Sequence, residues 1–220
     1  MKRNTGLILA LDETDEEKAI AIVNDVADLV DAVKVNWPLV LSAGPGIITK
    51  LSGTVDVICD FKVADIPNTV RLIVEEAVLR GAAGVIVHAF TGEDSLNAAV
   101  EAAGTKVEIY AVTEMSHPGG KTFTSLHAEE MAAMGVRCGV AGFVAPATRP
   151  DRITAIRAMA GNRTIISPGV GAQGGSAASA ISAGADYVIA GRAIYEAKDP
   201  RKAAEKVCEE ISDLLRYSRM

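Results

Sequence analysis

Residues 55–81 read "VDVICDFKVADIPNTVRLIVEEAVLRG" and contain one complete structural unit. Positions 55–63 are apolar and rich in β-branched residues, the signature of a strand covered on both faces. From 66 to 81 the apolar residues take helical spacing, with Pro67 in the first turn and Gly81 as the stop. Three charges, Asp60, Lys62 and Asp65, lie where strand passes into helix. Charge is costly to bury unless it is paired or used.

The same unit recurs on both sides. Further strands are predicted at 6–12, 32–37, 84–90, 106–114, 142–147, 164–170 and 187–195. Helices are predicted at 14–30, 38–53, 92–104, 125–135, 149–161, 176–184 and 200–217. Thr14 is the expected cap of the first helix, and Gly44–Pro45 should interrupt the second. Eight strand–helix units with no dividing linker predict an α/β chain folded as one (β/α)8 TIM barrel over residues 1–220. The rival is an open, doubly wound sheet. It would leave two exposed edges, and the G-x-G-x-x-G turn that often opens such sheets is missing.

Composition narrows the function. Of 220 residues, 49% are hydrophobic and only 4% aromatic, and the net charge is −6. There is no basic stripe and no aromatic platform, so nucleic acid is not an expected partner. No segment approaches a membrane span, and 1–17 reads as a first strand rather than a signal peptide. Cys59, Cys138 and Cys208 are odd in number and widely spaced, which fits reduced thiols and a cytoplasmic location.

In a barrel of this kind the site lies at the C-terminal ends of the strands. Asp12, Lys34, Asp60, Lys62, His88, the segment "TEMSH" (113–117) and Arg192 all fall at or near those ends. Period two puts Asp60 and Lys62 on one face and turns Cys59 the other way, toward the helices. Two readings of the charged set stay open. One is an ion network closing the barrel mouth; the other is a lysine kept cationic between carboxylates, a poor imine-forming nucleophile but a good proton donor. The glycines of "SPGVGAQGG" (167–175), with "AGR" (190–192) at the next strand, suit an anion such as phosphate. His88, His117 and His127 lack zinc-site spacing, and His88 reads as a packed residue.

"DFKVADIP" (60–67), "TEMSHPG" (113–119), "PGVGAQGG" (168–175) and "AGRAIY" (190–195) together resemble orotidine 5′-phosphate decarboxylase in its short archaeal-type form. The likeness runs from "LALD" (9–12) to "GRAIY". It implies decarboxylation of orotidine 5′-monophosphate to uridine 5′-monophosphate (UMP), with no metal and no organic cofactor. It further implies that Lys62 protonates C6 of the pyrimidine and that Asp60 lies beside the departing CO₂. Asp65, with Ile66 and Thr69, would be lent across the interface of a homodimer. Asp12 and Lys34 would bind ribose, Ser116 the pyrimidine, and Pro168 would open a closing loop. Gln173, Gly191 and Arg192 would hold phosphate, assisted by Tyr195. Asn36 departs from the likeness, which implies glycine there. D-x-K-x-x-D alone is shared with Mg²⁺-dependent phosphosugar decarboxylases and synthases, which are the alternative.

Overall fold

The computed structural model describes residues 1–217; positions 218–220 of the expected domain lie outside the described residues. Eight strands form a closed parallel barrel in sequence order: β1 (Leu7–Leu11), β2 (Ala32–Val35), β3 (Val57–Val63), β4 (Gly84–His88), β5 (Glu108–Val112), β6 (Gly142–Val144), β7 (Thr164–Val170) and β8 (Tyr187–Ala190). Closure is direct, with Leu7 of β1 opposite Val188 of β8. No strand edge is left open, so the open-sheet rival falls.

The helices are α1 (Glu16–Val26), α2 (Trp37–Ala43), α3 (Gly46–Ser52), α4 (Pro67–Leu79), α5 (Glu93–Ala103), α6 (Ala128–Cys138), α7 (Pro150–Ala160), α8 (Ala177–Ser182), α9 (Arg192–Tyr195) and α10 (Pro200–Tyr217). Gly44, at φ 78°, separates α2 from α3 where the interruption was expected. Two details differ from expectation. Asp15 caps α1 instead of Thr14: its carboxylate accepts from Lys18 N at 3.0 Å. The eighth strand stops at Ala190, and residues after Gly191 wind into α9, so Arg192 leaves the sheet.

The core has two layers, as alternation along each strand requires. Leu7, Leu9, Val33, Val57, Cys59 and their counterparts face the helices. Ile8, Ala32, Ile58, Ile86, Tyr110, Ile166 and Tyr187 fill the barrel interior below the site. Cys59 is fully buried in the outer layer, and burial, then Asp60, push its thiol up to about 12. Tyr110 is the largest fully buried side chain and needs space from its neighbours.

Gly142 on β6 supplies that space. A Cβ there would press on the Thr164 carbonyl oxygen and come within 2.9 Å of the Tyr110 ring. Gly142→Ala should therefore cost about 1–3 kcal/mol, seen as a fall of several degrees in thermal melting followed by circular dichroism. An unchanged melting temperature would mean that this layer is loosely packed.

Candidate active site

The mouth of the barrel holds three charges in line. Asp60 is 4% exposed and Lys34 5% exposed. Lys34 Nζ lies 2.7 Å from Asp60 Oδ2, and Lys62 Nζ lies 2.8 Å from Asp60 Oδ1. Burial works to raise the Asp60 carboxyl, but Lys34 and Lys62 overcome it and leave the group below the ordinary carboxylate range. Asp60 is thus ionised, and each of its oxygens is committed to an ammonium. Two cations on one anion leave this triad with a net positive charge.

The sheet reaches this arrangement by breaking its own register. Cys59 stands opposite Val85, yet Val63 stands opposite Val87, so β3 carries extra residues between them. The bulge holds Asp60, Phe61 and Lys62. Faces still alternate through it, as expected, but Lys62 sits at φ 44°, in the left-handed region. For a residue with a side chain this conformation costs roughly 1–2 kcal/mol. The surroundings enforce it: Trp37 stacks on Phe61 with centroids 4.6 Å apart, and its ring N–H donates to the Phe61 carbonyl at 3.2 Å.

A cavity of about 470 Å³ opens above the triad. Asp12, Lys34, Asp60, Lys62 and Ser116 line one part of it. Pro168, Gln173, Gly191, Arg192 and Tyr195 line another part. The glycine loop folds on itself there, with Gly175 N donating to Gly169 O and Gly171 N donating to Gly175 O, both at 3.0 Å. Arg192 is exposed and makes no ion pair among the described residues. Asp65, Ile66 and Thr69 do not reach this cavity. Asp65 is exposed and accepts from Ile66 N at 2.7 Å, while Ile66 is 66% exposed.

One network escaped the sequence reading. Glu114, fully buried at the end of β5, receives Arg149 Nε at 2.9 Å and Arg152 Nε at 2.7 Å. Arg149 also donates to the Met115 carbonyl at 2.5 Å, and Thr148 to the Ser116 carbonyl at 3.0 Å. These bonds hold the backbone that carries Ser116. "TEMSH" marked the strand end, but no local pattern links Glu114 to arginines some 35 residues away.

His88 packs against Phe90 with ring centroids 4.7 Å apart, as a packed residue should. Its buried Nδ1 has no partner among the described residues. Burial, then the Lys62 cation, push the imidazole down to about 4, so it is neutral near pH 7.

A family model described as "Orotidine 5'-phosphate decarboxylase / HUMPS family" matches residues 5–207. The chain belongs to this family. Orotidine 5′-phosphate decarboxylase of Methanococcoides burtonii is 54% identical over 214 residues, 96% of this chain and 100% of that protein. The Methanosarcina mazei protein of the same name is 54% identical over 218 residues, 98% of this chain and 99% of its own. The crystal structure of the Methanocaldococcus jannaschii enzyme, solved with the inhibitor BMP, superposes with a TM-score of 0.89 at 44% identity, covering 94% of this chain and 98% of that one.

The Mg²⁺-dependent alternative would need carboxylate oxygens free to ligate a divalent cation. The donor set here does not fit one. Asp60 is closed by two lysines and Glu114 by two arginines, which leaves Asp12, among the described residues, as the one carboxylate lining the cavity with an unpartnered oxygen. Among the described residues no three of His, Cys, Asp and Glu gather as a metal site.

The left-handed backbone at Lys62 has a measurable consequence. Lys62→Gly and Lys62→Ala both remove the ammonium, but only glycine accepts φ 44° freely. The glycine variant should be about 1 kcal/mol more stable than the alanine variant. Chemical denaturation of both proteins checks this, and equal stability would show that the bulge is unstrained.

Proposed function

We propose that this chain decarboxylates orotidine 5′-monophosphate to uridine 5′-monophosphate, a step of pyrimidine nucleotide synthesis, and that Lys62 stabilises and protonates the C6 carbanion. The observation that carries this reading is the Lys34–Asp60–Lys62 line, in which Lys34 and Asp60 are buried, the middle carboxylate is fully occupied and the half-buried Lys62 ammonium lines the cavity. Loss of CO₂ breaks the bond from C6 to the carboxylate and leaves the electron pair on C6, in the ring plane. No adjacent carbonyl can accept that pair. A fixed ammonium can stabilise it electrostatically. Lys62 then gives its proton to C6, and solvent reprotonates the resulting amine.

Asp60 holds Lys62 in place and lies close to where the substrate carboxylate would sit. That contact vanishes when neutral CO₂ departs, but we rank it below charge stabilisation. Reactions with such barriers ask for roughly 8–23 kcal/mol of transition-state stabilisation, beyond what one ion pair supplies. Remote binding supplies part of the remainder. Gln173, Gly191 and Arg192, helped by Tyr195, hold the phosphate; the loop beginning at Pro168 closes over it; and Ser116 meets the pyrimidine. Asp12 and Lys34 take the ribose.

Asp65, Ile66 and Thr69 serve a second copy's site in a homodimer. The support for this is that all three lie outside their own cavity, Asp65 and Ile66 exposed and Thr69 half-buried, with Phe90, Phe123 and Leu126 also exposed, at 59%, 77% and 70%. The cytoplasm is the proposed location, in keeping with three free cysteines. Among the described residues no helix is long and apolar enough to cross a membrane.

An assay following loss of orotate absorbance, with and without EDTA, tests the reading. Turnover should persist in chelator, and Arg192→Ala should raise the apparent KM at least tenfold. Absent turnover, or turnover abolished by EDTA and restored by Mg²⁺, would overturn it.

A further inference from the structure

Two polar groups in the cavity complement each other and neither is satisfied. Asp12, just past the end of β1, has a buried carboxylate oxygen, Oδ1, with no hydrogen-bond partner. Asn36, just past the end of β2, also lines the cavity. Its Oδ1 accepts from Trp37 N at 2.7 Å, capping α2. Only the oxygen of the amide can accept from an N–H, so this bond fixes the amide orientation. The Nδ2 group is left with no partner among the described residues.

The strand pattern places Asn36 in the barrel. Ala32, Lys34 and Asn36 alternate onto one inward column: Ala32 in the interior core, Lys34 at the charged floor, Asn36 at the rim. β1 and β2 lie between β8, which leads to Arg192, and β3, which carries Lys62. A nucleotide with its phosphate at Arg192 and its base over Lys62 must therefore lay its sugar across Asp12 and Asn36. An unpaired acceptor beside an unpaired donor suits a hydroxyl, which donates once and accepts besides.

We infer that Asn36 is a sugar-reading residue: its Nδ2 donates to a ribose hydroxyl, and with Asp12 it discriminates ribonucleotide from deoxyribonucleotide. The inference rests on the proposed nucleotide function and adds a residue to it. A donor that bound ligand covers and leaves without an acceptor carries a penalty, so the site should reject a sugar lacking that hydroxyl.

Dissociation constants for UMP, 2′-deoxyUMP and 3′-deoxyUMP, measured by calorimetry on wild type and Asn36→Ser, test it. Serine keeps an oxygen to cap Trp37 but is too short to place a donor at the rim. Wild type should bind UMP about tenfold more tightly than one of the deoxy analogues. Asn36→Ser should lose about tenfold toward UMP and almost nothing toward that analogue. Equal losses toward all three ligands, or no loss toward any, would overturn the inference while leaving the decarboxylase reading intact. A wild-type chain that binds no UMP would remove that reading, and the inference with it. Asn36→Asp keeps the capping acceptor and lacks the donor; it is read in the same way should the serine variant fail to fold.

Discussion

A single buried carboxylate sets the terms for the whole site. Asp60 is almost sealed from water, and in isolation burial would favour its neutral form. Lys34 on one side and Lys62 on the other reverse that preference. The outcome is an anion that cannot be spared: without it, two ammonium groups would face each other unpaired, and for the buried Lys34 loss of its partner costs several kcal/mol. The net positive charge that remains suits a reaction in which one negative charge moves from a carboxylate to a carbon atom and never leaves the site. Because the cation is held before substrate arrives, little reorganisation is needed as charge shifts.

The barrel supplies rigidity to hold that geometry. Its interior below the site is packed by Tyr110, Tyr187 and aliphatic side chains, with no open edge through which the sheet could flex. The bulge in β3 and the left-handed backbone at Lys62 are local departures from regular structure, placed where the chemistry is. Such departures persist when their surroundings over-determine them. Trp37 and Phe61 do so from outside, and the Asp60 ion pair from within. Across the mouth, the Glu114–Arg149–Arg152 network holds the Met115 and Ser116 carbonyls through Arg149, which is anchored on the fully buried Glu114.

Much of this was legible in the chain. Alternating apolar runs and helical periods led to eight units and a closed barrel, and period two correctly sent Cys59 outward and Asp60 and Lys62 inward. Long-range and non-repetitive features were not legible. The β3 register shift depends on how Val63 meets Val87 on another strand, and no residue in 59–63 advertises it. Glu114 and its arginines are brought together only by folding. Thr14 is a residue type that caps helices, but Glu13 accepts from the backbone N–H of both Thr14 and Asp15 and leaves Asp15 to turn into the helix. The unmet Nδ1 of His88 is likewise a property of its packing, since histidine at a strand end is common enough to signal nothing.

Proton transfer between Lys62 and C6 can be followed from the product side, since a group that protonates a carbanion must also assist its formation. Wild-type protein incubated with UMP in D₂O should exchange the C6 hydrogen for deuterium, measured by proton NMR, and Lys62→Ala should show no exchange above the uncatalysed background although UMP still binds. Exchange at an undiminished rate in the alanine variant would contradict the assignment of the ammonium as the group that meets the carbanion.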